Sequence, residues 1–154
     1  MGIGYFKGMP EKKVIFDPGL NRNYHLEASL YMWRDFFTNA QVYGADDHPE
    51  TLFEDDRIKT FLCDERKKED IIQLIKNTGS DIDLFIDDGN HNSRRQIFLA
   101  KNLIPQLQKD VIYIIEDVYY PDKIASALSE YDCQISPFPP KFREDRLIVV
   151  RNKT

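Results

Sequence analysis

The chain has 154 residues, 42% of them hydrophobic, with 21 Lys plus Arg against 26 Asp plus Glu and a formal charge of −5. This suits one folded domain spanning 1–154 and excludes a disordered chain. The acidic balance speaks against a nucleic-acid partner held by bulk charge, and no run approaches the roughly 18 apolar residues of a membrane span.

The acidic excess is local: residues 44–70 hold ten acids and five bases. The start, 1–13, lacks the apolar stretch of a signal peptide. Cys63 and Cys133 lie 70 residues apart without metal-type Cys neighbours. They read as buried free thiols of a reducing compartment, so a cytoplasmic location is expected.

In chain order, 13–16 is a short strand. Residues 26–37 have helical spacing, with Leu30, Trp33 and Phe37 on one stripe. Strands are expected at 40–45 and 57–63. A charged helix over 65–77 buries Ile71, Ile72, Leu74 and Ile75, with Gly79 just past its end. The strand 83–86 runs into Asp87-Asp88-Gly89. Ser93 and Gln96 have the spacing of a capping box that opens a helix over 93–102, and Pro105 marks its end. The apolar strand 111–115 ends at Glu116-Asp117. Pro121 opens a helix over 122–131, and strands at 133–136 and 147–150 finish the chain, with three prolines between them. Short apolar strands alternating with helices imply an α/β fold, Rossmann-like and doubly wound. The expected sheet has seven mostly parallel strands, the last returning antiparallel as a hairpin.

In such sheets ligands bind beyond the carboxyl ends of the strands. Here these ends are acidic: Asp46-Asp47, Asp64, Asp87-Asp88 and Glu116-Asp117. Acids also cap helices and suit their dipoles, but four strands in succession make that account less adequate. Asp88 and Glu116 are 28 residues apart, one strand–helix–strand unit, so Asp88, Glu116 and Asp117 can converge. Three carboxylates without Cys favour Mg²⁺, or Ca²⁺ or Mn²⁺, over zinc. His91 follows Asp88 by three residues and suits a general base; a surface loop histidine is the alternative. Asp46 stands where dinucleotide-type folds bind ribose hydroxyls. Asp64 reads either as an adenine contact or as the N-cap of the charged helix. After the first strand, Asp17-Pro18-Gly19 occupies the place of a glycine-rich turn and equally suits an ordinary Pro-Gly turn. Phe138 and Phe142 read as packing residues or as walls of a pocket.

Four segments carry a family likeness: 29–37, Ala40-Gln-Val-Tyr-Gly-Ala-Asp46, Ile86-Asp-Asp-Gly-Asn-His91 and Tyr113-Ile-Ile-Glu-Asp117. Together they resemble class I methyltransferases that use S-adenosylmethionine, in particular the metal-dependent macrolide-sugar O-methyltransferases and their cephalosporin-hydroxylase-like relatives. The resemblance implies Asp88, Glu116 and Asp117 as Mg²⁺ ligands and His91 as general base. It implies Asp46 at the cofactor ribose, Asp64 near the adenine, and Asp17 and Gly19 in the turn after the first strand. The implied reaction is methyl transfer from sulfonium to a hydroxyl of a sugar or other small molecule, with no nucleic acid or membrane involved and a homo-oligomer left open. Two other functions compete: an inactive binding module that keeps the fold, and another metal-dependent Rossmann-type enzyme using the same carboxylates.

Overall fold

The structure is a computed structural model. It describes residues 12–16, 28–136 and 146–154, of which 12–16 are described as backbone only. Eight strands form one sheet: β1 (Lys12–Phe16), β2 (Ala40–Asp46), β3 (Glu54–Asp55), β4 (Ile58–Leu62), β5 (Leu84–Asp87), β6 (Ile112–Ile115), β7 (Tyr131–Ile135) and β8 (Ile148–Asn152). Their order is β3-β4-β2-β1-β5-β6-β8-β7. The helices are α1 (Ala28–Phe36), α2 (Lys68–Thr78), α3 (Ser93–Leu103) and α4 (Pro121–Ala127). The expected seven strands become eight because β3 pairs antiparallel with β4. It was not legible because Glu54 and Asp55 are both exposed and offer no apolar alternation. The Thr60 hydroxyl closes this hairpin, accepting from Phe53 N–H and donating to Phe53 C=O. β8 is antiparallel as expected, lying between β6 and β7 and antiparallel to both.

Period-two alternation sends neighbouring strand residues to opposite faces. On one face Phe85, Tyr113 and Ile115 pack with Ile71 and Leu74 of α2, Leu99 and Leu103 of α3, and Ile124 of α4. On the other, Val42 and Ile58 pack with Leu30 of α1, and Trp33, Phe37 and Leu84 close over them. Each fully buried Leu, Ile or Phe contributes roughly 1.5–3 kcal/mol. Gly79 ends α2 at φ 88, where a side chain would crowd the backbone. The far end of α1 is held from outside: Arg57 Nη1 donates to the carbonyls of Arg34, Phe37 and Ala40 at 3.0–3.1 Å.

Three local expectations are corrected. The cap of α3 is Asn92, whose side chain accepts from Arg94 N–H at 3.0 Å, so Ser93 is the first helical residue. Asp64 is not the cap of α2, which begins after Lys67. Cys133 is half-buried, while Cys63 is buried; both are free thiols. Phe138, Phe142 and the prolines between β7 and β8 lie outside the described residues.

The chain builds β1, β2 and β4 outward to one side, then crosses back to build β5 and β6 on the other, and β1 pairs with both β2 and β5. This is the strand-order reversal at which open α/β sheets bind ligands. Asp46 ends β2 and Asp87 ends β5. Asp64, Asp88 and Glu116 follow the ends of β4, β5 and β6 on that same edge.

Candidate active site at the carboxyl edge

The loops after β5 and β6 bring together Asp88, His91 and Asp117, with one ligand atom from each lying within 4.8 Å of the others. His91 Nε2 is 3.5 Å from Asp88 Oδ1 and 3.5 Å from Asp117 Oδ2. The Asp88 carboxylate raises the imidazole above its ordinary value; partial burial opposes this and the charge of Asp117 adds to it. Glu116, expected in the same set, is not one of the three groups within that distance. It is nonetheless electrically part of the site. Burial, then repulsion from Asp88 and Asp117, pushes its carboxyl up to about 7.

The β6 loop is held firmly. Asp117 adopts φ 50, a left-handed conformation that costs a non-glycine residue energy. Three contacts hold the segment around it. Glu116 N–H donates to Asp87 C=O at 2.8 Å, Val118 N–H donates to Arg146 C=O at 2.9 Å, and the Gln96 side-chain amide donates to Glu116 C=O at 3.0 Å. Gln96 is 1% exposed and its Oε1 has no hydrogen-bond partner among the described residues. The sequence shows Gln96 only as half of a capping box; its side chain crosses to the next strand's loop instead.

The β5 loop has its own anchor. Asp87, 1% exposed, accepts from Tyr113 O–H at 3.1 Å and from Gly89 N–H at 3.2 Å. Burial and the charge of Glu65 push its carboxyl up to about 7, against the pull of those two donors. The sequence marks Asp87 only as one acid of a strand end and Tyr113 only as part of a family-like segment; their pairing was not legible. The available signal was a polar residue at the end of an apolar strand whose neighbour strand carries a tyrosine.

On the other side of the reversal, Asp46 is 5% exposed. Its Oδ1 accepts from His48 N–H at 2.8 Å and lies 3.0 Å from His48 Nδ1. Asp46, Asp47 and His48 form a second compact acid–imidazole group that the sequence did not suggest. Asp64 is gripped by Arg66, with Nε to Oδ1 at 2.6 Å and Nη2 to Oδ2 at 2.8 Å. That guanidinium holds the Asp64 carboxyl well below its usual range. Asp46 and Asp64 stand at the paired ends of β2 and β4, where Asp46 is in register with Leu62, two residues before Asp64. Asp17 and Gly19 lie outside the described residues.

No protein-family model matches the chain. Curated relatives include the 8-demethyl-8-alpha-L-rhamnosyl tetracenomycin-C 2'-O-methyltransferase of Streptomyces olivaceus, 31% identical over 96 residues, which are 60% of this chain and 25% of that one. The mycinamicin VI 2''-O-methyltransferase of Micromonospora griseorubida is 31% identical over 91 residues, 59% of this chain and 23% of that one. The chain therefore spans about a quarter of the curated relatives it matches. Among solved structures, MycE methyltransferase in complex with Mg, SAH and mycinamycin VI superposes with a TM-score of 0.67 at 20% identity, over 91% of this chain and 43% of that one. A SAM-dependent methyltransferase from Anabaena variabilis superposes at 0.59 with 11% identity, over 90% of this chain and 76% of that one. The chain carries the Rossmann-like α/β fold of the class I methyltransferases and is a relative, in sequence, of sugar O-methyltransferases.

Proposed function

We propose that this chain, a single domain over 1–154, is the core of an S-adenosylmethionine-dependent, Mg²⁺-assisted O-methyltransferase acting on a hydroxyl of a sugar or other small molecule. The observation that carries it is the convergence of Asp88, His91 and Asp117 at the carboxyl edge of a sheet shared with MycE, whose structure holds Mg and SAH.

The donor set suits a hard divalent cation. Asp88, Glu116 and Asp117 offer only carboxylate oxygens, the preference of Mg²⁺. Glu116 is pushed up to about 7 first by burial and then by its acidic neighbours, against the pull of His91; a bound cation would favour its ionised form. A bound Mg²⁺ would supply Lewis acidity that lowers the pKa of an acceptor hydroxyl. His91 takes the proton at Nε2. Its imidazole is raised by the hydrogen bond to Asp88 and by the charge of Asp117; a cation engaging those carboxylates would weaken that pull and favour the neutral, basic form. Asp46 holds the cofactor ribose and Asp64, kept ionised by Arg66, lines the adenine end. The family likeness assigns Asp17 and Gly19 to cofactor binding as well; they lie outside the described residues.

A titration of the purified protein with S-adenosylhomocysteine, with and without Mg²⁺, tests this. Saturable binding in the micromolar range is expected, and its absence in both conditions would leave the inactive-module reading in its place.

A further inference from the structure

Beside His91, a cavity of about 190 Å³ lies between the starts of α3 and α4. His91, Arg94, Tyr119, Tyr120 and Lys123 line it. Its size suits one ring-sized group rather than a drug-sized molecule. Tyr119 and Tyr120 are 37% and 52% exposed, leaving aromatic surface of the kind that packs on the C–H face of a sugar ring.

The charges in this cavity break a local rule. The first turn of α3 contains no acid, yet it carries Arg94 and Arg95 at the end where the helix dipole disfavours cations. Arg95 is compensated, with Nη1 3.7 Å from Glu65 Oε1. Among the described residues, Arg94 has no ion pair or side-chain hydrogen bond, and the same holds for Lys123 of α4. Two cations on adjacent helices thus face one cavity with no counter-ion among the described residues, in a chain whose net charge is −5. Violations of this kind concentrate at functional sites. We propose that this cavity is the acceptor subsite and that it selects an anionic acceptor, a hydroxylated ring bearing a carboxylate or phosphate held by Arg94 and Lys123. The acceptor hydroxyl then faces His91, which lines the same cavity. The inference rests on the methyltransferase reading for the identity of the reacting group, but not for the binding of the anion.

The test uses glucuronate, glucose 6-phosphate and glucose as probes, titrated by ligand-observed NMR into the full chain with and without S-adenosylhomocysteine and Mg²⁺. At low salt at least one anion is expected to bind about tenfold more tightly than glucose, as two exposed charge pairs together would give. The preference falls below threefold in the R94Q/K123Q double variant and is weakened by added salt. Whichever anion leads identifies the carboxylate or the phosphate as the recognised group. A preference below threefold in the parent protein, no binding of any probe, or a preference untouched by R94Q/K123Q each overturns the proposal. If S-adenosylhomocysteine fails to bind while the anion preference holds, it is the methyltransferase assignment that falls.

Discussion

Tyr113 donates its hydroxyl hydrogen to Asp87 Oδ2 across 3.1 Å, while its ring stacks on Phe85 at 4.9 Å and 11°. Phe85 and Tyr113 are register partners on β5 and β6. The pair therefore ties the two strands at the edge where their loops must meet. Asp87 passes the constraint on by accepting from Gly89 N–H, inside the loop that carries Asp88 and His91. Tyr113→Phe keeps the stack and deletes only the hydroxyl. It is expected to lose about 1–3 kcal/mol and to weaken Mg²⁺ binding severalfold. Urea denaturation reads the first and calorimetry the second; an unchanged urea midpoint would remove Asp87 from the list of structural anchors.

His91→Ala is expected to lower methyl transfer by about 10²–10⁴-fold, the usual contribution of a positioned general base. S-adenosylhomocysteine affinity should stay unchanged. Turnover that survives the substitution would return His91 to the role of a loop histidine.

Glu116 must be ionised to bind a cation, and without one its carboxyl sits at about 7. Protons and metal therefore compete. Mg²⁺ affinity should fall by roughly tenfold per pH unit below 7 if one proton is displaced. Glu116→Gln should bind more weakly at pH 8 and lose most of this slope. A parent protein whose affinity is flat from pH 8 to 6 would exclude Glu116 from the ligand set.

Gln96→Leu preserves volume but leaves Glu116 C=O without its side-chain donor. Groups that hold ligands in place are typically worth 10–100-fold in metal affinity, and a loss of about tenfold is expected here. Stability should change little, because the buried Oε1 that has no hydrogen-bond partner among the described residues disappears with the amide. Equal metal affinity in parent and variant would limit Gln96 to packing.

Asp64 is held below the usual carboxylate range by Arg66. A depressed folded-state value means that the pair stabilises the fold above the unfolded carboxyl's value near 4 and loses this as pH falls below it. Because Arg66 is half-exposed, the effect is expected to be about 1 kcal/mol or less. Arg66→Gln should raise the pH of acid unfolding slightly and weaken S-adenosylhomocysteine binding. A tighter cofactor complex in the variant would show that Arg66 competes for Asp64 rather than readying it.

Much of this protein was determined by the sequence alone. Apolar runs of strand length, separated by helical stripes, fix the alternation of β and α because burial of those faces leaves few other arrangements. Acids at four strand ends follow the same logic, and the 28-residue spacing of Asp88 and Glu116 brings adjacent strand ends together by topology. Tertiary structure decided what depends on side-chain reach and on charge in a low-dielectric setting. It placed His91 between Asp88 and Asp117 and left the Glu116 carboxylate outside that close group. It turned Gln96 from a cap into a brace, paired Asp64 with Arg66, and joined Asp87 to Tyr113, 26 residues away in sequence. A two-residue, fully polar strand such as β3 has no hydrophobic period to announce it, and one residue's difference in the cap of α3 rests on which short polar side chain reaches a free N–H. Such choices turn on fractions of an ångström and on neighbours from distant segments, which spacing along the chain does not encode.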